Sequence, residues 1–579
     1  MQQPPRSRGS GFADFDPSAG PLPAEFEVLG PGGFGGKARG LIYAGRLRDG
    51  GHPLAGPHSS RVRLPPSALV GTDLYDAMVE RAGLGAAIAD EGVPVPADPL
   101  GGVPFPEEAR ERFRDYLARH RVPLAVRSSS LLEDDPRHSF SGIYRTRFVA
   151  NAGSDAERLR SFEEAVRAVL ASTFLPRADA YRRRRGLERR GERMAVLVQH
   201  LVGRRRGDLF FPLVGGVAFS SNMYPWTDRV RVEDGVARLV AGLGTRAVDR
   251  DFARVFVPAH PGLRPDGFSV EAIERTAQEG LDAVDLATGA WRRGVPLREV
   301  VRAPANDLHL VSSLVREGEF LMAARFPLGE DERFVVTFDE VLADRTPLPL
   351  AAILRAMLDS LSRAFGTAVD VEFAAEGLGA PDGPPEPLFL LQVRPLGVRE
   401  AHRGVSVDPG SHRVVLRSRR VLGNGERDDL AHVVLVRASE YRAARPDRVV
   451  REVARLNRAL EGRPYLLVGP GRWGTSHPSL GVPAGYDALS GAAAIVEVAS
   501  GEMATEVSYG THFFGELLGQ GTFFLAVLPG EDAVLDEEYL LAHASPPVDG
   551  VRLVTLPRPL VLQVDGPGRL GVAFVPDAP

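Results

Sequence analysis

The chain has 579 residues, of which 44% are hydrophobic and 25% are charged, values that are typical of folded globular protein. The formal net charge of −5 argues against a nucleic-acid-binding protein, and the absence of cysteine excludes disulfides, thiolate metal sites and a cysteine nucleophile. The sequence shows neither an apolar run of about 18 residues nor a signal peptide. We therefore expect a soluble, cytoplasmic protein of roughly three or four domains, with no membrane and no nucleic-acid partner.

The first 25 residues are rich in proline, glycine and serine. This composition predicts a disordered or loosely attached arm over residues 1–25, because it offers few apolar side chains to bury. The first domain is expected to begin after this arm, at residue 26.

A glycine-rich stretch over residues 30–36 leads to Lys37, the only lysine in a chain that otherwise uses arginine. Gly35 and Gly36 would let backbone amides approach a polyanion, and a lysine is a compact, flexible cation that can reach phosphate oxygens. A helix predicted over residues 38–47 would add a favourable dipole at its N-terminus. These features favour a phosphate-binding loop over the alternative, a surface turn with an incidental lysine.

A second polar segment belongs to a predicted buried strand over residues 124–130. Arg127 lies in this strand, and hydroxyl side chains, Glu133 and a glycine turn follow it. An arginine in this position is well placed to bind phosphates through paired hydrogen bonds. The alternative is a salt-bridged strand end.

The middle of the chain contains further predicted helices and two arginine runs. Apolar spacing predicts helices over residues 159–174, 270–286 and 350–364. The arginines at 182–185 are interpreted as the solvated face of a helix, and those at 204–206 as the tip of a hairpin.

Two predicted strands near residue 380 carry a second group of polar residues. Period-two alternation places Asp370 and Glu372 on one face of the first strand, and Gln392 and Arg394 on one face of the second. Carboxylate and amide oxygens beside an arginine suit Mg–ATP, because Mg²⁺ prefers oxygen ligands and shares them with phosphates. An ion-pair ladder between the two strands is the structural alternative.

Eight short segments occur in one order along residues 26–397. They are Gly35-Gly36-Lys37, Val126-Arg127-Ser128-Ser129, Glu133-Asp134, Phe140-Ser141-Gly142, Gly216-Val217-Ala218-Phe219-Ser220, Gly242-Leu243-Gly244, Asp370-Val371-Glu372 and Leu391-Gln392-Val393-Arg394-Pro395. Together they resemble the nucleotide-binding domain of the pyruvate phosphate dikinase and phosphoenolpyruvate synthase family. The resemblance implies an α+β protein: a two-lobed, ATP-grasp-type domain with lobes at 26–250 and 251–400, followed by a smaller C-terminal α+β domain at 401–579.

The resemblance also implies ATP and Mg²⁺ as cofactors and assigns the phosphate-binding residues. Lys37 and Arg127 would hold the ATP phosphates, with Gly35 and Gly36 as the loop around them. In the family, ATP gives up two phosphoryl groups: the β-phosphoryl group goes to a carrier histidine, and the γ-phosphate is released.

The strand residues receive the remaining implied roles. Glu372 and Gln392 would carry Mg²⁺, Arg394 would stabilise charge on the transferred phosphoryl group, and Asp370 would support the site. The chain departs from the family after Gly244, where a glutamate is usual and Thr245 stands instead. Residues 401–579 are also too few for the family's phosphoenolpyruvate barrel, which needs about 250.

The C-terminal third has no assigned substrate, and its candidates are two histidines and an arginine. The segment before His477 is similar to the threonine-containing signature around the family's carrier histidine, although Pro478 follows at once. His512 is a candidate phosphoryl acceptor or, alternatively, a hydrogen-bonded core histidine. Arg472, in a glycine turn after a buried strand, is paired with His512 as a hypothetical second site.

The sequence thus predicts a kinase- or dikinase-type phosphotransferase with Arg127, Arg394, His477 and His512 as catalytic candidates. The phosphoryl acceptor is an unknown small molecule or protein. The alternative is a non-catalytic ATP-binding sensor whose C-terminal domain reports occupancy. Replacement of Lys37 or Glu372 by alanine is expected to abolish Mg–ATP binding or turnover and to leave the melting temperature of the nucleotide-free protein nearly unchanged.

Overall fold

A computed structural model describes most of the chain. The described residues are 12–90, 92–133, 140, 142–222, 225–227, 229–248, 252–265, 267–301, 307–316, 319–321, 333–379, 386–396, 407–410, 412–475, 478–501, 503, 521–528, 530–566 and 568–576. The candidates His477 and His512 lie outside them. The described residues up to Leu396 form one compact unit, and those from Val407 onward form a second. Within these ranges, every helix is too short or too polar to cross a membrane.

The first unit combines helices and strands throughout. Its helices are α1 (Gly35–Asp49), α2 (Thr72–Arg81), α3 (Gly85–Ala89), α4 (Glu107–Arg119), α5 (Asp155–Leu170), α6 (Pro176–Arg184), α7 (Thr245–Val248), α8 (Val270–Thr276), α9 (Leu297–Val301), α10 (Asp339–Leu342) and α11 (Leu350–Phe365). Its strands are β1 (Phe26–Gly30), β2 (Val62–Arg63), β3 (Ser67–Val70), β4 (Leu124–Ser130), β5 (Thr146–Val149), β6 (Met194–His200), β7 (Arg204–Arg206), β8 (Leu209–Phe211), β9 (Val214–Phe219), β10 (Val236–Val240), β11 (Arg254–Phe256), β12 (Gly280–Asp285), β13 (Trp291–Pro296), β14 (Ser312–Arg316), β15 (Glu319–Leu321), β16 (Arg333–Val336), β17 (Val369–Ala375) and β18 (Leu388–Pro395).

Four sheets organise these strands, and two of them position the candidate site. The first sheet has the order β1-β3-β6-β4-β5, and the second has the order β11-β10-β9-β17-β18-β2. A four-stranded sheet, β13-β12-β8-β7, and a three-stranded sheet, β15-β14-β16, complete the unit. Helix α1 packs against both β4 and β18, so it links the two sheets that matter for function.

Local sequence explains why the long helices form where they do. Helix α5 begins with a capping box, in which Ser154 and Glu157 satisfy each other's backbone amides. Helix α11 has an apolar face that enters the main core, and it ends at Gly366, whose φ of +71° is easiest for glycine. Both helices were predicted from apolar spacing, and the structure confirms them.

The described part of the predicted arm, residues 1–25, is packed against the first unit. Phe12 is only 4% exposed, and its ring lies 4.3 Å from the Phe365 ring and 5.3 Å from the Tyr43 ring. The guanidinium of Arg39 donates to the Phe12 carbonyl at 2.6 Å. Phe15 packs in the same way, with its ring 4.9 Å from the Tyr43 ring, so these two aromatic residues anchor the described part of the segment.

The helix predicted over residues 270–286 is also wrong in its second half. Helix α8 ends at Thr276, and the following residues form β12, which pairs with β13 and β8. The Gln278 side chain bonds the backbone of Ala241 at 2.8 and 2.6 Å, and Gly280 is a poor helix former. Strand pairing across the sheet thus overrides the helical spacing.

The two arginine runs are less exposed than predicted. Arg182 is fully buried within α6 and forms an ion pair with Asp179, so this helix face is not simply solvated. Residues 204–206 form strand β7 and not the hairpin tip, and Arg206 bonds Asp307 at 2.5 and 2.7 Å. Pairing with carboxylates, Asp179 in the same helix and Asp307 from a distant part of the chain, allows these guanidinium groups to be buried.

The second unit contains a large mixed sheet with helices. Its helices are α12 (Ala438–Ala443), α13 (Pro446–Ala459), α14 (Tyr486–Leu489) and α15 (Glu537–Ala542). Its strands are β19 (Arg413–Ser418), β20 (Arg420–Leu422), β21 (Gly425–Leu435), β22 (Tyr465–Pro470), β23 (Arg472–Trp473), β24 (Gly481–Val482), β25 (Ala492–Val498), β26 (Phe523–Val527), β27 (Val534–Leu535), β28 (Arg552–Asp565) and β29 (Leu570–Val575). Nine of these strands form one sheet in the order β20-β26-β25-β22-β21-β28-β29-β19-β27, and β23 pairs with β24.

The last strands of the chain belong to the large sheet. One long strand, β28, pairs with both β21 and β29 in the nine-stranded sheet. Both units mix helices with sheets, so the prediction of an α+β class agrees with the structure at this coarse level.

Candidate active site

Helix α1 carries Lys37 and is fixed against the end of β4. The helix begins at Gly35, whose φ is +73°; a Cβ atom there would lie 1.7 Å from the Ser129 carbonyl oxygen. The Ser129 hydroxyl accepts a bond from the Ala38 amide at 3.1 Å and donates to the Phe34 carbonyl at 2.7 Å. The glycine stretch is thus a close contact between helix and strand, which requires glycine.

The amine of Lys37 lies in a polar pocket formed by the end of β4. It donates to the Ser128 hydroxyl at 3.2 Å and forms an ion pair with Glu133, which is 3% exposed. Glu133 also accepts from the Ser130 amide at 3.2 Å. The only lysine of the chain is therefore paired with a buried carboxylate, a partnership that the sequence analysis did not identify.

Arg127, on β4, connects the first sheet to the second. Its Nη1 donates to the Gln199 side chain at 3.1 Å and to the Leu391 carbonyl at 3.2 Å. Its Nη2 donates to Glu372 at 2.5 Å and to the Gln392 amide oxygen at 2.7 Å. One guanidinium thus contacts β6, β17 and β18, and it brings together three of the predicted site residues.

Strands β17 and β18 pair in the register that the polar residues require. Asp370 lies opposite Arg394, and Glu372 lies opposite Gln392. Arg394 donates twice to one carboxylate oxygen of Asp370, at 2.8 and 2.6 Å. Asp370 is 1% exposed and Arg394 is 6% exposed, so this ion pair is buried, whereas the neighbouring Glu372 side chain is more exposed to solvent.

Close packing of α1 on β18 brings the lysine and the strand residues into one region. A Cβ atom at Gly40 would lie 2.0 Å from the Val393 carbonyl oxygen. The helix backbone therefore lies directly on the strand that carries Gln392 and Arg394. Lys37 also contacts Ser128, so it lies against the same strand, β4, that carries Arg127.

The oxygen atoms of Glu372 and Gln392 fit a Mg²⁺ ion that also binds phosphate. Both accept from the same Arg127 nitrogen, so they converge on one point. In the part of the chain that the structure describes, no group of three or more His, Asp or Glu side chains could hold a metal. The protein would supply two oxygen ligands, and Mg²⁺ commonly takes the rest from phosphates and water.

A buried glutamate supports the segment that holds Lys37. Glu192 bonds the Ser130 side chain and the Leu132 amide, and Tyr144 donates a hydrogen bond to it. Burial raises the pKa of the Glu192 carboxyl above its usual value, although these hydrogen bonds act in the opposite direction. Sequence reasoning missed this residue, because nothing near position 192 indicates its long-range contacts.

Thr245, which stands where the family usually has a glutamate, contacts a buried carboxylate. Its hydroxyl donates to Asp282 at 2.7 Å, and Arg246 lies 3.6 Å from the other oxygen of the same carboxylate. Asp282 is fully buried and also accepts from the Gly294 amide at 2.9 Å. A carboxylate from β12 therefore lies beside Thr245.

The C-terminal candidates can be placed only in part. Arg472 and Trp473 follow the buried strand β22, and both are almost completely buried. His512, its predicted partner, and the carrier candidate His477 lie outside the described residues. The structure therefore leaves the pairing of Arg472 with His512 as a prediction.

The first unit matches a known protein family. A family model described as the pyruvate phosphate dikinase AMP/ATP-binding domain matches residues 33–408, more than half of the chain. The chain belongs to this family. Lys37, Arg127, Asp370, Glu372, Gln392 and Arg394 all lie inside the matched region of this pyruvate phosphate dikinase-type domain.

Curated relatives match parts of the chain. A rifampicin phosphotransferase of Streptomyces sp is 30% identical over 202 residues, which are 34% of this chain and 20% of that protein. A rifampicin phosphotransferase of Streptomyces sviceus is 35% identical over 144 residues, 24% of this chain and 14% of that protein. The phosphoenolpyruvate synthase of Escherichia coli K12 is 26% identical over 366 residues, 62% of this chain and 37% of that protein. Each match thus spans well under half of the relative.

Proposed function

We propose that the chain is an ATP- and Mg²⁺-dependent phosphotransferase whose first unit is an ATP-grasp-type domain with lobes at residues 26–250 and 251–400. The observation that carries this proposal is the Arg127 guanidinium, which contacts Glu372 and Gln392 from the strand whose Ser128 contacts Lys37. Two cations beside two converging oxygen ligands are the parts that phosphoryl transfer needs. The family match to an AMP/ATP-binding domain supports the nucleotide as ligand.

The residues of the site would act mainly by position and charge. Lys37 and Arg127 would exchange their present carboxylate partners for ATP phosphate oxygens, which are stronger multivalent anions. Gly35 and Gly36 would keep the start of α1 close to those phosphates. Arg394, held by Asp370, would face the charge that develops when the bond from phosphorus to the leaving oxygen breaks.

Mg²⁺ would be held by Glu372 and Gln392 and would neutralise phosphate charge. The acceptor supplies the attacking oxygen or nitrogen, and the leaving nucleotide keeps the electron pair of the broken bond. Dikinase chemistry would yield AMP and phosphate, whereas a simple kinase would yield ADP. Rifampicin and phosphoenolpyruvate occur in the names of the relatives, and the acceptor of this chain is a small molecule or protein that they do not identify.

A non-catalytic ATP sensor is the second candidate function, and it rests on Thr245. Where the family usually has a glutamate, the Thr245 hydroxyl and Arg246 contact the buried Asp282. An altered residue at this position is compatible with nucleotide binding that does not lead to turnover. In that case residues 401–579 would report occupancy to a partner.

Phosphorus NMR of the full chain with Mg–ATP separates these functions. AMP with phosphate would support dikinase chemistry, and ADP would support a simple kinase or ATPase; the Arg127→Gln variant should abolish either signal. Tight Mg–ATP binding without turnover, after screening of acceptors, would favour the sensor. If ATP does not bind to the wild-type chain at all, both proposals are wrong.

A further inference from the structure

Four neighbouring strands of the C-terminal unit end at one edge of its large sheet. β21, β22, β25 and β26 are mutually parallel and adjacent, so their carboxyl ends share this edge. In sheets with parallel strands and connecting helices, small molecules bind outside the carboxyl ends of the strands, where loops present polar groups. This edge is therefore the first place to look for a ligand site in the unit.

A tightly built loop leaves β22 at this edge. Gly471 has a φ of +60°, and a Cβ atom there would lie 2.1 Å from the Leu480 carbonyl oxygen. A Cβ atom at Gly481 would lie 2.2 Å from the Arg472 amide nitrogen, which itself donates to Leu480 at 2.8 Å. Only glycine fits at both positions, so the loop holds Arg472 and Trp473 in a defined place.

Two charged side chains are buried at the same edge. Arg472 is 4% exposed, and Glu497, the penultimate residue of β25, is completely buried. One carboxylate oxygen of Glu497 accepts from the Trp473 amide at 2.9 Å, which ties β25 to the loop. Burial of charge costs free energy, and apolar side chains of similar volume can serve a core equally well. Their position at the edge where such sheets bind ligands makes Arg472 a candidate for binding as well as for packing.

We propose that this edge is a binding site for a small molecule that bears a carboxylate or a phosphate group, with Arg472 as its cation. A planar guanidinium can donate two parallel hydrogen bonds to either oxyanion. Glu497 positions the loop through the Trp473 amide. The site lies within the C-terminal unit and does not depend on the proposed phosphotransferase activity.

Trp473 offers a local reporter for the test. It is completely buried next to Arg472, and its indole nitrogen donates to the Val496 carbonyl at 3.3 Å. The chain has three tryptophans, so the double variant Trp226→Phe/Trp291→Phe leaves Trp473 as the only indole fluorophore. This full-length variant would be titrated separately with inorganic phosphate and with malonate.

The expected result is a saturable change in Trp473 fluorescence with at least one of the two anions. The preferred anion identifies the ligand class. Introduction of Arg472→Gln should weaken the affinity at least tenfold, whereas Arg451→Gln, which removes an exposed arginine from α13, should leave it unchanged. If neither anion gives a saturable response, or if Arg472→Gln binds as tightly as its parent, the proposal is wrong.

The conservative variant Arg472→Lys covers the case in which Arg472→Gln does not fold. Lysine keeps the positive charge but loses the paired geometry of the guanidinium. Weaker but measurable binding of the same anion supports the site. Unchanged affinity in a folded Arg472→Lys protein overturns the role of the guanidinium.

Discussion

Glu372 lies directly opposite Gln392 across an antiparallel strand pair, and the two side chains accept hydrogen bonds from the same nitrogen of Arg127. Their oxygens therefore point towards one position. The guanidinium occupies this position in the structure, and a cation that arrives with ATP phosphates would compete with it. In the proposed function, one positive charge would thus replace another at this position.

The first prediction concerns the carboxylate in this pair. Glu372→Gln keeps the size of the side chain and an oxygen acceptor for Arg127 but removes the negative charge that favours Mg²⁺. Turnover of Mg–ATP should fall by roughly 10²–10³-fold, as when a charge-stabilising group is removed from an active site. Phosphate release or nucleotide products would be measured at several Mg²⁺ concentrations. Glu299→Gln, at a half-exposed carboxylate of the same unit, is the matched control and should keep wild-type activity.

The second prediction separates two roles of Lys37. Lys37→Ala removes the cation paired with buried Glu133, so the free energy of unfolding should fall by about 3–5 kcal/mol and the melting temperature should fall with it. The sequence alone led to the opposite expectation of an unchanged melting temperature. The double variant Lys37→Ala/Glu133→Gln removes both charges and should recover part of the lost stability.

ATP binding provides the complementary measurement for Lys37. Binding of Mg–ATP should stay impaired in the double variant, because the phosphate-binding amine is still missing. Recovery of both stability and ATP affinity would show that Lys37 serves only the fold. An unchanged melting temperature in Lys37→Ala would contradict the importance of its pair with Glu133.

The third prediction concerns the packed N-terminal segment. Phe12→Ala removes a ring that is 4% exposed and contacts Phe365 and Tyr43, so it should destabilise the first unit by about 3–5 kcal/mol. Phe268→Ala is the same substitution at a residue that is 68% exposed and should have little effect. Thermal melting of the two variants provides the comparison. Equal melting temperatures would mean that the segment is not anchored in solution.

The sequence correctly predicted the features of the site that depend on short stretches of the chain, namely strand faces and helices. Period-two alternation correctly placed Asp370 with Glu372 and Gln392 with Arg394, because side chains alternate along any strand. The pairing of the two strands followed from their proximity in the chain. Apolar spacing likewise predicted α5 and α11, each of which has a buried apolar face.

The partners of the site residues depend on contacts that no local pattern contains. Arg127 meets Glu372 across 245 positions of sequence, and Lys37 meets Glu133 across 96. Gln199 was missed for the same reason, although a polar residue at the end of an apolar strand was a usable signal. The wrong second half of the helix predicted over residues 270–286 shows the converse error, since β12 pairs both with its neighbour β13 and with β8, which is distant in the chain.

The fourth prediction concerns the acid stability of the first unit. His200 lies 3.1 Å from His120, nitrogen to nitrogen, and Glu27 bonds the far side of the His120 ring at 2.9 Å. Burial, together with the neighbouring His120, lowers the pKa of His200 to about 4. The unfolded chain therefore binds a proton at His200 near pH 6.5, whereas the folded chain does so only near pH 4.

The sign of the pH effect follows from this difference. The stabilising contribution of neutral His200 is complete above pH 6.5 and is lost as the pH falls to about 4, because the unfolded state binds more protons in that window. The pKa difference of His200 between the unfolded and folded chains sets the free energy of unfolding that can be lost. Because the side chain is partly exposed, we expect about half of that free energy, a loss of about 1–2 kcal/mol. His200→Gln keeps a polar side chain but cannot take up this proton. The melting temperatures of wild type and His200→Gln would be compared at pH 7 and at pH 4.5. The wild type should lose more stability than the variant at pH 4.5. A difference between the two proteins that is constant with pH would rule out the contribution of His200.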